Sequence, residues 1–197
     1  MTLLAWIAAV VLFLQLPIPL YWFVLHPARN FWSARRNAAY IVALALSWLP
    51  VTLLLIACHR HLLRPDTPPL WRVVLGVVLI ALEVWIFWRV KRDLGGARLV
   101  GATELSGGGQ MEESGIYSRI RHPRYSGSFL ALIGACLLAA KHLLWIIIAV
   151  WAVLMLLAIT MEERDLRSRF GASYAEYCRR VPRFIPRLAL RRPSQGV

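Results

Sequence analysis

Apolar residues along this chain gather in five long stretches, with no strand-like alternation and no internal repeat. A helix needs about 20 mainly apolar residues to cross a bilayer. The stretches at 3–25, 38–58, 70–88, 126–140 and 143–161 are therefore read as five transmembrane helices. Pro17 and Pro19 predict a kink in the first and Pro50 a bend in the second. Only Lys141-His142 separates the last two, which predicts an antiparallel helical hairpin whose first arm is short or tilted. The first stretch has no basic residue before it and no small-residue cleavage site, so it reads as an anchor rather than a cleaved signal peptide. The expected fold is all-α, a single membrane domain over residues 1–197.

Composition supports that reading. Hydrophobic residues make up 59 % of the 197 and charged ones 17 %, with a mean hydropathy of +0.58. Soluble domains average about 45–50 % apolar and about 25 % charged. An ordinary soluble enzyme with its own α/β cofactor domain is excluded, and so is disorder, which needs low hydrophobicity. The net charge is +13, and 21 of the 23 basic residues are Arg. These bases lie between apolar spans, so they point to membrane topology and anionic head groups rather than nucleic acid. Loops 26–37 and 89–125 and the tail from 162 carry 19 of them, against 4 on the other side. The positive-inside rule then places the amino terminus outside and residues 89–125 and 162–197 in the cytoplasm. The preference for Arg over Lys suggests a GC-rich bacterial genome, hence a bacterial inner membrane. Cys58, Cys136 and Cys178 have no metal-like spacing and form no disulfide framework.

Only the cytoplasmic segments have room for chemistry. The Gly107-Gly108-Gly109 run lacks both the Walker Lys-Ser/Thr and a strand–GxGxxG–helix setting, so it reads as a flexible turn. His122-Pro123-Arg124-Tyr125, beside Arg121, opens the fourth span, as either a juxtamembrane basic cluster or a ligand site. Glu162-Glu163 follows the last span where topology asks only for bases, at the unfavourable end of that helix's dipole. Such a pair calls for a cationic partner, either nearby arginines or a positively charged ligand. Beyond it, Leu166, Phe170, Tyr174, Tyr177 and Val181 form an apolar stripe that suits a helix on the membrane surface or across the bundle. Glu83 lies within the third span, where an acid is a functional candidate by default. His26, His59, His61 and His142 merely flank spans.

Three groups of residues then combine. They are Asp93-Leu94-Gly95; Gly115-Ile116-Tyr117 running into Arg121-His122-Pro123-Arg124-Tyr125-Ser126-Gly127; and, after the hairpin, Glu162-Glu163 with Leu166, Phe170-Gly171, Tyr174, Tyr177, Val181-Pro182 and Ile185-Pro186. Together they closely resemble the isoprenylcysteine carboxyl methyltransferases, grouped with the phospholipid methyltransferases among integral-membrane methyltransferases. The resemblance covers roughly residues 89–187.

That resemblance implies S-adenosylmethionine as methyl donor, bound on the cytoplasmic side. It implies cofactor contacts at Gln110, Met111, Tyr117, His122, Pro123, Arg124, Tyr125 and Glu162, with Arg121, His122 and Glu163 as positioning groups, no dedicated nucleophile and no metal. A carboxylate such as Glu162 suits a sulfonium and an ammonium, and the faces of Tyr117 or Tyr125 suit the sulfonium. Two departures stand out. The family's usual His-x-Leu-Val falls on Gly109-Gln110-Met111-Glu112. Where members that methylate a prenylcysteine carboxylate carry an Arg one turn before the Glu, this chain has Ala158. The expected activity is methyl transfer to a small lipophilic acceptor drawn from the membrane lipids or their surroundings. The alternatives are a related sterol-type reductase using NADPH and a non-catalytic scaffold of the same fold.

Overall fold

The computed structural model describes residues 3–27, 31–32, 35–62, 67–95 and 110–186. The glycine run 107–109, Arg29, Arg64 and the chain beyond 186 lie outside the described residues.

The first apolar stretch folds as two helices, α1 (Leu3–Gln15) and α2 (Ile18–Leu25). Proline has no N–H, so Pro19 cannot donate to the Gln15 carbonyl four residues back. Trp151 replaces that lost partner, its indole Nε1 donating to the Gln15 carbonyl at 3.0 Å. The predicted kink is thus a break, with the freed backbone group satisfied by a neighbouring helix as apolar surroundings require. Helix α3 (Arg36–Ala57) keeps Pro50 inside it and is followed by a short turn at His59–Leu62.

Helix α4 (Leu70–Leu94) runs six residues past the expected boundary at 88, closing on Lys91 and Arg92 in its last turn. Helix α5 (Pro123–Ala139) packs on α4 more extensively than any other pair of elements does. The closeness comes from glycine: a Cβ on Gly134 would lie 2.8 Å from the Gly76 carbonyl oxygen, and one on Gly76 3.0 Å from that of Gly134. Small residues at such a crossing let two backbones touch, which drives helix association in lipid. The hairpin turns at Ala140, which caps α5 in the left-handed region at φ 53°.

Helix α6 (His142–Arg180) departs most from expectation. The apolar span ends near 161, but the helix continues through Glu162-Glu163 to Arg180, with one non-helical residue at Gly171. The two glutamates are therefore in mid-helix, and the dipole penalty expected at a helix end does not apply to them. The apolar stripe settles its two readings. Tyr174, Tyr177 and Val181 are buried, packing with Leu166 and Phe170 against Met111 rather than facing a membrane surface. Among the described residues, four helical stretches are long and apolar enough to cross a membrane, Leu3–Leu25, Ala38–Ala57, Leu70–Leu94 and His142–Arg180; α5, at 17 residues, is a shorter apolar helix beside them.

Candidate active site

At one end of the bundle, the segment 110–125 lies between α4 and the far half of α6. Asp93, in the last turn of α4, fixes its start: the carboxylate accepts the Ile116 N–H at 2.8 Å. That backbone hydrogen bond, ahead of the charges of Arg92 and Arg89, holds the Asp93 carboxyl below its ordinary range. Gly115 has φ +55°, and any Cβ there would collide with the Asp93 carboxylate, so the Asp-Leu-Gly and Gly-Ile-Tyr motifs are one structural unit. The far side is tied by Tyr177, whose hydroxyl donates to the Tyr117 carbonyl at 2.8 Å. The Arg121 and His122 N–H groups donate to the carbonyls of Pro182 and Arg183 at 2.9 and 3.0 Å.

These ties surround a cavity of about 500 Å³. Its lining includes Gln110, Met111, Tyr117, His122, Pro123, Arg124, Tyr125 and Glu162, all eight positions singled out from sequence as cofactor contacts, together with Arg121. Leu166, Arg169, Phe170, Tyr174 and Tyr177 of α6 line it as well. A further part of the lining is apolar and aromatic, contributed by Leu14, Ile18, Tyr21 and Trp22 at the α1–α2 break and by Tyr40, Leu44 and Trp48 of α3. Hydropathy alone did not mark these last residues as a site. The signal available for them was an aromatic pair beside two closely spaced prolines. Ala158, by contrast, is 2 % exposed within the hydrophobic core and does not line the cavity. The position expected to face the acceptor is packed instead between helices. None of the four flanking histidines lines it either.

The adjacent glutamates have different surroundings. Glu163 is 1 % exposed and takes the arginines. Arg183 reaches it with Nε at 3.0 Å and Nη2 at 2.6 Å, Arg121 with Nη1 at 2.9 Å, and His122 Nε2 lies at 3.1 Å. Burial alone would raise this carboxyl, but the hydrogen bonds from His122 and Arg183 and the charge of Arg121 bring it down to about 2. Glu162 faces the cavity, where the Tyr125 hydroxyl donates to its Oε2 at 2.9 Å. The rings of His122, which touches Glu163, and Tyr125, which touches Glu162, stack at 5.7 Å.

Arg124 is engaged away from them. Its Nη1 donates to Glu83 at 3.1 Å and to Ser128 Oγ at 2.8 Å, which gives the intramembrane acid its partner. Among the described residues, no group of three or more His, Cys, Asp or Glu could hold a metal ion.

The phospholipid methyltransferase family matches residues 71–173, just over half of the chain, and the chain belongs to that family. Among relatives, methanethiol S-methyltransferase 2 of Bradyrhizobium diazoefficiens is 33 % identical over 144 residues, which is 66 % of this chain and 54 % of the relative. The nickel-cobalt-cadmium resistance protein NccN of Alcaligenes xylosoxydans xylosoxydans is 31 % identical over 138 residues, 61 % of this chain and 65 % of the relative. Protein-S-isoprenylcysteine O-methyltransferase of Schizosaccharomyces pombe is 36 % identical over 74 residues, 36 % of this chain and 31 % of the relative. The chain thus spans about half the length of the first of these relatives. No solved structure matches it. The reductase alternative finds no support in these relatives.

Proposed function

We propose that this protein transfers a methyl group from S-adenosylmethionine to a small, uncharged, lipophilic acceptor. The observation that carries the reading is one cavity lined both by the Glu162 carboxylate with its polar neighbours and by aromatic, apolar residues of the α1–α2 break and α3. The donor set suits the cofactor: Glu162 for its ammonium or sulfonium, the faces of Tyr117 and Tyr125 for the sulfonium, and Gln110 for polar contacts. S-adenosylmethionine supplies an activated methyl group, so no protein nucleophile is required.

The chain's own work is then positioning. Arg121, His122 and Glu163 fix the turn that presents Tyr125 and Glu162. The α1–α3 wall excludes water and holds the acceptor against the donor, which is how alignment lowers a bimolecular barrier.

The charges around the cavity favour an uncharged acceptor. Of the arginines lining it, Arg121 pairs with Glu163, Arg124 with Glu83 and Arg169 with Asp165. Among the described residues, the apolar wall contributes no Lys, Arg or His, so a carboxylate entering there would lose its water without gaining a cation from them. The relative that methylates methanethiol carries out a reaction of this kind on an acceptor of this kind.

The site faces the cytoplasm of a bacterial inner membrane in this reading, on the 19-to-4 distribution of basic residues. The decisive assay is transfer of labelled methyl to methanethiol and to extracted host lipids by the purified protein. Label is expected in a small or lipid acceptor that carries no carboxylate. Absence of transfer to either would contradict the reading.

A further inference from the structure

Methyl transfer as described leaves Glu83 without a task, although a carboxylate inside a membrane helix is costly to keep. Glu83 is 7 % exposed and does not line the cavity. Its Oε1 accepts from Arg124 Nη1 at 3.1 Å and from Gln15 Nε2 at 3.2 Å, joining α1, α4 and α5 at one point. The fit is close: a Cβ on Gly127 would lie 3.4 Å from Glu83 Cγ and 3.2 Å from Ile86, so α5 runs in contact with Glu83 at this point.

Arg124 does line the cavity, and its guanidinium also lies 5.1 Å from the Phe87 ring centroid. A fixed cation in the wall of a partly desolvated cavity repels any second cation that enters, and low dielectric strengthens the repulsion. S-adenosylmethionine carries a sulfonium cation; S-adenosylhomocysteine, left after transfer, has a neutral sulfur there.

We propose that Glu83 is the counter-ion that cancels the Arg124 charge at the cavity wall, so that the cavity accepts the cationic methyl donor without Glu83 touching it. This rests on the S-adenosylmethionine reading above. Glu83 is then a positioning residue whose effect separates two ligands that differ by one methyl and one charge. Loss of a merely structural contact would weaken both ligands alike.

The test is calorimetry of both ligands with the purified full chain. Glu83→Gln keeps the shape and a polar contact but leaves Arg124 uncompensated. S-adenosylmethionine affinity is expected to fall about tenfold or more, while S-adenosylhomocysteine changes by less than about threefold. Glu83→Asp keeps the negative charge beside Arg124, and is expected to hold S-adenosylmethionine binding within about threefold of the natural protein. Parallel loss of both ligands in Glu83→Gln, or a Glu83→Asp that loses S-adenosylmethionine as Glu83→Gln does, overturns the proposal. Should Glu83→Gln fail to fold, Glu83→Ala decides in its place: a ratio of the two affinities shifted against S-adenosylmethionine supports the counter-ion role, and an unchanged ratio overturns it. A natural protein that binds neither ligand overturns the cofactor reading as well, an outcome distinct from all of these.

Discussion

Glu162 and Glu163 are neighbours in sequence with opposite surroundings: Glu163 is sealed at 1 % exposure among Arg121, Arg183 and His122, while Glu162 stands in the cavity wall on the Tyr125 hydroxyl. Consecutive residues on a helix point about 100° apart, so one can brace the site while the other serves it. Their substitutions should therefore have different consequences.

Glu162→Gln is expected to weaken S-adenosylmethionine binding about tenfold or more. A charge-assisted hydrogen bond in a partly desolvated site contributes about 1.5–3 kcal/mol. The melting temperature should stay near that of the natural protein, because Glu162 is only half-buried. Calorimetry and a thermal melt on the same sample check both halves.

Glu163→Gln is expected to act on the fold. Its carboxyl titrates near 2 in the folded chain against an ordinary 4.5. A carboxyl lowered on folding stabilises the folded state above its unfolded pKa, and that contribution is lost as pH falls from about 4.5 to about 2. The gap corresponds to about 3 kcal/mol. Thermal melts in detergent from pH 6 down to pH 3 should show a steep loss of stability in the natural protein. In Glu163→Gln the starting stability should be lower and the slope shallower. Equal slopes would mean that another carboxylate carries the acid sensitivity.

Much of this site was legible because it is local in sequence. Gly115 to Gly127 and Glu162 to Tyr177 carry their chemistry in residue types at fixed spacing, and Tyr117, His122, Tyr125, Glu162, Tyr174 and Tyr177 from these two segments meet in one cavity. The division of labour within Glu162-Glu163 was not legible, since it depends on Arg183 returning from beyond the helix end. The continuity of the helix through 161 was not legible for a related reason. Hydropathy marks where lipid ends, while Glu162 to Arg180 continues in residues that favour helix without being apolar. The apolar wall was invisible because Tyr21, Trp22, Tyr40 and Trp48 look like any membrane residues until α2 and α3 pack together.

Trp151→Phe should destabilise the chain by about 1–3 kcal/mol. It removes the donor to the Gln15 carbonyl that Pro19 leaves unmatched, and keeps most of the ring that packs beside Phe129. The loss should appear in the melting temperature. A Pro19→Ala background should shrink it, because the substituted residue restores an N–H for that carbonyl; an undiminished loss would show that the indole acts by packing alone.

Ala158→Arg should not create a prenylcysteine methyltransferase. Ala158 is 2 % exposed in the core rather than in the cavity wall, so a guanidinium there is overpacked and unpaired. The variant is expected to lose folded protein, and both it and the natural protein should methylate N-acetyl-farnesylcysteine poorly. Efficient turnover by the natural protein would show that a carboxylate acceptor finds a cation after all.

The central claim is that the cavity between residues 110–125 and the far half of α6 is a cofactor site for S-adenosylmethionine. Titrating the purified full chain with S-adenosylhomocysteine, and separately with NADPH, tests it most directly. Saturable binding of S-adenosylhomocysteine, weakened about tenfold by Glu162→Gln and unaffected by NADPH, is the predicted result. Saturable binding of NADPH with none of S-adenosylhomocysteine would contradict it.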